Sequence, residues 1–172
     1  PDPDLLVTVG AHGRLPASAL FGHHANLATI LAQTHGAADW DIDVEVRRGI
    51  DAQAPARTRL RYASDLNGIG IAFPAPVGKS AEVARPLDLE VQISADESIA
   101  PALRLRLGSQ ARLLAELGDR GRDFRGQLQF GPETERDLPA RGLRGGGSAA
   151  ELDIAGWAGW VLATATGDPA HA

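Results

Sequence analysis

His23 and His24 are the pair in this sequence best suited to chemistry, since imidazole titrates near neutral pH and is the commonest metal ligand. Adjacent residues of an extended chain point to opposite sides, so the two do not readily share one ion. A third ligand would have to come from His12 or His35. Neither stands at the i, i+4 spacing that puts two imidazoles on one helical face, and no HExxH occurs. A polar turn ahead of a helix accounts for His23 and His24, and neither a metal site nor a cofactor is expected. The carboxylate pairs Asp41/Asp43 and Asp88/Glu90 alternate with apolar residues, which places them on the outer face of a strand. A general acid needs a carboxyl in a cleft with a shifted pKa, and a solvated face supplies none. No serine lies in a GxSxG setting, and Ser64-Asp65 and Ser94 with Asp96 read as strand-end and turn residues. Gly145-Gly146-Gly147 lacks the following Lys-Ser/Thr and the helix that a phosphate loop requires.

The elements that hold these residues are mainly strands. Period-two alternation runs through 40–47 (WDIDVEVR), 87–93 (LDLEVQI), 103–107 (LRLRL) and 124–130 (FRGQLQF), with one apolar and one polar face each. Further strands are expected at 5–9, 58–66, 68–73, 111–117 and 150–154. Asn67-Gly68, Gly108-Ser109 and residues 118–121 suit tight reversals between them. Neighbouring strands so close in sequence should pair antiparallel, because a parallel crossover needs a dozen or more residues. Residues 26–33, with Leu27, Ile30 and Leu31 at helical spacing and Gly36 soon after, predict a short helix, and 157–163 predict a second. Residues 131–141 and 142–148 read as loops, and 166–172 as a frayed tail. The fold class expected is mainly β: a curved antiparallel sheet, or an open β-groove or sandwich, with one or two short helices. Residues 1–165 form a single β-rich unit.

Bulk properties narrow the function classes. A net charge of −5 with acids and bases interspersed argues against a nucleic-acid partner, and the nearest basic cluster, Arg57, Arg59 and Arg61, alternates as the wet face of a strand does. The chain has no cysteine, hence no disulfide or thiolate chemistry. It contains no methionine and no signal-peptide pattern, and its longest apolar stretches, such as 69–76, are far too short for a bilayer span. A segment of a longer protein, with any membrane anchor outside it, is the expectation.

The stretch Ser64-Asp65-Leu66-Asn67-Gly68, an apolar run, then Pro74-Ala75-Pro76-Val77-Gly78-Lys79 reads as a rigid exit from a sheet, with proline ending the pairing. Ile69, Ile71 and Phe73 should lie on one buried face ahead of it. The same stretch resembles one repeated in the YhdP family of AsmA-like proteins, which belong to Gram-negative envelopes. There a Ser-Asp-Leu-x-Gly motif leads to Pro-Ala-Pro-x-Gly-Lys; Val77 stands where leucine is more usual. The order of the other pieces agrees over most of residues 20–160: Gly36-Ala37-Ala38-Asp39-Trp40, Pro86-Leu87, Phe130-Gly131-Pro132, residues 138–143, and Leu152-Asp153-Ile154 before Trp157. The resemblance implies no catalytic residue. It implies an inner-membrane anchor outside this stretch, a long periplasmic body of repeated β units, and movement of phospholipid toward the outer membrane along an apolar groove.

On that reading the partners are phospholipid acyl chains and neighbouring segments of the same long chain. The groove candidates are Trp40, Ile42, Val44, Val46, Leu87, Leu89, Val91, Ile93, Leu103, Leu105 and Leu107, expected to join into one surface partly open to an apolar ligand. Two other classes compete with it. A structural or protein-binding β module would close the same apolar faces on each other, and a metal-dependent hydrolase would use His23 or His24.

Overall fold

The computed structural model describes residues 5–21, 31–48, 55–118, 124–132 and 137–166. Ten strands are present among them: β1 (Leu5–Leu15), β2 (Thr34–Gly36), β3 (Ala38–Arg47), β4 (Arg57–Ser64), β5 (Ile69–Ile71), β6 (Leu87–Ser94), β7 (Ala102–Leu107), β8 (Ala111–Glu116), β9 (Arg125–Phe130) and β10 (Gly142–Gly147). Helix α1 spans Ala17–Phe21 and α2 spans Ile154–Thr166. Eight strands form one sheet in the order β1-β3-β4-β6-β7-β8-β9-β10, and β2 pairs with β5 in a separate two-stranded ribbon. At about 4.8 Å per strand the large sheet is roughly 35–40 Å wide. It is mainly antiparallel and does not close on itself, since β1 and β10 each have a single neighbour.

The four most regular alternating stretches are all strands of the large sheet, and 157–163 lies within α2. The expected helix at 26–33 lies mostly outside the described residues; of its end, Leu31 and Ala32 are helical and Gln33 is a turn. His23 and His24 also lie outside them, as do 119–121 of the expected 118–121 turn. Other expectations need correction. β1 runs on to Leu15, well past Val9. Residues 68–73 do not join the large sheet: only Ile69–Ile71 is extended, and it pairs with Thr34–Gly36. The turn at Asn67-Gly68 therefore joins two sheets and is not a hairpin.

Residues 142–148, expected as a loop, contain β10, which pairs parallel with β9. The connection through 131–141 is long enough to carry the chain back to the same end of the sheet, and backbone pairing needs nothing from glycine side chains. Residues 150–153 are not a strand; Asp153 Oδ1 accepts the Gly156 amide at 2.8 Å and caps α2.

Candidate functional site

The strand registers decide what the two faces of the large sheet carry. Trp40, Ile42, Val44 and Val46 of β3 stand opposite Gly13, Ala11, Val9 and Val7 of β1. On the other side Ile42, Val44 and Val46 meet Tyr62, Leu60 and Thr58 of β4, which in turn face Leu89, Val91 and Ile93 of β6. Leu87, Leu89 and Val91 then meet Leu107, Leu105 and Leu103 of β7, and these meet Ala111, Leu113 and Ala115 of β8. Because side chains alternate with period two, partners in register share a face, so all eleven candidate residues lie on one side of the sheet. The apolar side continues through Phe130, Leu128 and Gly126 of β9.

Burial along that side is graded. At the end holding Leu15, Ala38, Leu87, Leu107, Ala111 and Phe130, a roof covers it. Leu20 and Phe21 of α1, with Leu66, Ile69, Ile71 and Val77 of the corner, join Trp40, Ala38, Leu107 and Ala111 there in one core, and Phe21 stands edge-on to Tyr62. Trp40 is only 2% exposed, its indole donating to the Leu15 carbonyl at 3.0 Å. Toward the opposite end Val44, Val46, Leu60, Val91 and Leu103 are half-buried. At the rim Val9 is 54%, Ile93 41% and Leu143 57% exposed. The β8–β9 flank is an exception: Phe124 and Leu143 occupy the space that Gly126 leaves free, and Ala115 is buried.

The corner that supplies much of the roof is held by polar bonds on every side. The Ser64 hydroxyl donates to the Asp39 carbonyl at 2.7 Å and accepts the Leu66 amide at 3.0 Å, while Asp65 Oδ1 accepts the Asn67 amide at 2.9 Å. These bonds hold Leu66 at φ 52°, an unusual conformation for a non-glycine residue, with its side chain buried. Lys79 Nζ donates to the carbonyls of Leu66 (2.9 Å), Ser80 (3.0 Å) and Ile69, so all three ammonium donors are matched. Burial, and then the Arg85 cation, hold that ammonium below the ordinary lysine range. Arg85 donates to the carbonyls of Pro76, Val77 and Gly78.

Pro74 to Gly78 leaves the ribbon as turns with a cis Ala75–Pro76 bond, as an irregular exit should. Phe73 is half-buried and stacks on Trp157 of α2 with ring centroids 5.9 Å apart, and the Trp157 indole donates to the Ala75 carbonyl at 2.8 Å. Ser64, Asp65, Leu66, Gly68, Pro74, Pro76, Gly78 and Lys79 thus come together as one structural corner. Arg85 completes it. Composition and spacing gave no sign of Arg85, since its three acceptors are backbone atoms.

The opposite side of the sheet is an ion-pair ladder with strands of alternating sign. Acidic Asp43 and Glu45 of β3 stand opposite basic Arg61 and Arg59 of β4, and across the next seam Arg61 stands opposite Glu90 and Arg59 opposite Gln92 of β6, so the arginines reach their carboxylates diagonally. Arg59 reaches Glu90 through Nε at 2.8 Å, Arg61 reaches Asp88 through Nε at 3.0 Å, and Arg125 pairs with Glu116 at 2.7 Å. His12 lies on this side, 2.8 Å from Asp41. An open cleft of about 640 Å³ on this side lies between Asp39, Asp41, Arg61, Ser64, Asp65, Asp88 and Arg106. Three of its four carboxylates, Asp39, Asp41 and Asp88, are paired with Arg14, His12 and Arg61, and the fourth, Asp65, accepts the Asn67 amide. Among the described residues no group of three His, Cys, Asp or Glu side chains is placed to hold a metal ion.

Burial raises the Glu90 carboxyl, but hydrogen bonds from Gln92 and Arg59 and the charges of Arg59 and Arg104 outweigh it and leave it below the usual glutamate range. A carboxyl whose folded pKa is depressed contributes stability above its unfolded pKa and loses it as pH falls through the folded value. Glu90→Gln should therefore cost about 1 kcal/mol at neutral pH and reduce the loss of stability below about pH 4.5. Urea titrations at several pH values check this. An unchanged pH profile would show that the Arg59–Glu90 pair contributes nothing.

Comparison with known proteins adds one match: the model of the YhdP protein family aligns with residues 2–171. The chain belongs to the YhdP family. No curated protein and no solved structure matches it. Membership in YhdP fits an AsmA-like protein of the bacterial envelope, and YhdP is not known as an enzyme family. Among the described residues no helix is long and apolar enough to cross a membrane.

Proposed function

We propose that this chain is a module of a periplasmic, inner-membrane-anchored AsmA-like bridge, and that it conducts phospholipid between the inner and outer membranes along the apolar side of its large sheet. The single observation that carries the reading is the unbroken register of apolar side chains from β1 to β9, roofed at one end and half-open at the other. Apolar contact alone supplies the driving force, at about 0.8 kcal/mol for each acyl CH₂ buried. The polar head stays in water. Neighbouring segments of the same protein would extend the track, with the membrane anchor in one of them. A large exposed apolar surface marks an interaction site in its own right.

The expected experimental signature is phospholipid retained by the chain after purification, detected by native mass spectrometry and released by solvent extraction. A chain that carries no lipid, and takes none up from phosphatidylethanolamine vesicles, would leave the second reading: a structural or protein-binding module. The closed core around Trp40, Leu66, Ile69, Leu107 and Ala111 favours that reading at the roofed end.

A further inference from the structure

The roof over the apolar track is made of parts held in two different ways. The corner is pinned by Lys79 and Arg85 to six backbone carbonyls, and α2 is fastened to it through the Trp157 indole and the Asp153 amide, both on the Ala75 carbonyl. Helix α1 is held otherwise. It has five residues, none of them buried, and among the described residues its side chains make no hydrogen bond or ion pair. Its grip is that of three half-buried apolar side chains, Ala17, Leu20 and Phe21. The Phe21 ring stands edge-on to Trp40 and to Tyr62, with centroids 6.1 and 5.1 Å away. These contacts involve no hydrogen bond, so an incoming chain of methylenes can replace them without leaving a polar group unsatisfied.

Helix α1 also sits at a natural pivot. It follows β1 directly through Pro16, and the Trp40 indole ties down the residue before that proline by its bond to the Leu15 carbonyl. β1 can thus stay in the sheet while α1 moves. Beneath Phe21 lie Trp40 and Tyr62; with Ile42, the register partner of Tyr62, they continue the row of Val44, Val46 and Leu60 toward the open end.

We infer that α1 is a displaceable gate: an acyl chain advancing along the sheet lifts Phe21 off Tyr62 and Trp40 and takes its place, while the corner and α2 remain fixed. The inference rests on the conduit reading and names its control point. A lipid shifts α1 only by binding the lifted state better than the seated one. It does so by covering the Trp40 and Tyr62 surfaces that Phe21 leaves.

Two photocrosslinkable variants test the gate, with p-benzoylphenylalanine replacing Tyr62 under α1 in one and Ile93 at the open rim in the other. Phosphatidylethanolamine vesicles are the probe. Crosslinking at 93 should exceed that at 62, and adding Phe21→Ala should raise the yield at 62 by about tenfold, with the yield at 93 unchanged. Equal yields at both positions without Phe21→Ala would show that α1 is no barrier. No rise at 62 in a variant that labels well at 93 would show a permanently closed core there, and would overturn the gate while sparing the conduit. No labelling at 93 in either background would remove the conduit and the gate with it. Amide hydrogen exchange on the unsubstituted, lipid-free chain is a check that needs no variant. The α1 amides should exchange faster than those of Ile69, Ile71 and Lys79, and equal protection would contradict the inference.

Discussion

Replacing Gly68 by alanine is expected to cost about 3–4 kcal/mol of folding stability, a large fraction of the 5–15 kcal/mol typical of a domain. Gly68 has φ 98°, and a Cβ there would sit 2.3 Å from the Ala37 carbonyl oxygen and 2.7 Å from the Arg14 guanidinium. The facing residue, Gly36, has φ 92°, and its Cβ would lie only 2.0 Å from the Gly68 oxygen. The two backbones cross with no room for a side chain, and the Ala37 amide bonds the Gly68 carbonyl at 3.1 Å through that crossing. Alanine would have to separate them, breaking this bond and pulling Leu66 and Ile69 out of the roof. Two control substitutions separate the causes. Gly142 has φ 75° with nothing near its Cβ position, so Gly142→Ala should cost about 1–2 kcal/mol from backbone strain alone. Gly145 has open space and no such φ, so Gly145→Ala should be within about 0.5 kcal/mol of neutral. Urea unfolding of the three variants gives the ranking, and equal costs at Gly68 and Gly145 would remove the crossing as the anchor of the corner.

The parts of this fold legible in the sequence are those where alternation is strict. β3, β6 and β7 each give one charge or amide for every apolar residue over most of their length, and a one-residue slip would turn the whole apolar row to solvent. The partners across each seam are a different matter, because nothing local says that Arg59 meets Glu90. β10 was illegible for a plain reason: Gly145-Gly146-Gly147 carries no side-chain pattern, and its parallel bonding to β9 is a backbone matter. The centre of β1, Gly10 to Gly13, likewise lacks apolar alternation and becomes strand through its pairing with β3. Leu152 and Ile154 alternate over too short a run to distinguish a strand from the approach to a helix. Asp153 ahead of an uncharged apolar run was the available cap signal.

The apolar row of the candidate site was readable, and its roof was not. Leu66 lies at the end of a strand pattern, but the bonds from Ser64 and Lys79 turn it inward at a positive φ. Phe21 falls in a segment with no clear period, and its place above Trp40 and Tyr62 follows from where β1 ends. Whether an apolar face is open depends on such covering elements, which periodicity does not register.

Val91→Asp tests whether the half-open side of the sheet carries acyl chains. Val91 lies in the middle of the row between Leu60 and Leu103, half-buried, with the exposed Ile93 beyond it. A carboxylate there can reach water at the open rim, so the expected loss of stability is about 1–2 kcal/mol. In a closed core, an unpaired charge would cost several kcal/mol or abolish folding. An acyl chain passing the same point would meet a fixed negative charge in place of a methyl surface. The measurement pairs thermal unfolding with lipid crosslinking from p-benzoylphenylalanine at Ile93, in chains with and without Val91→Asp. Conduction along the sheet requires strong labelling of the parent and at least a tenfold loss in a variant that still unfolds cooperatively within about 10 °C of the parent. Collapse of the variant's fold, together with a parent that never labels, would contradict it.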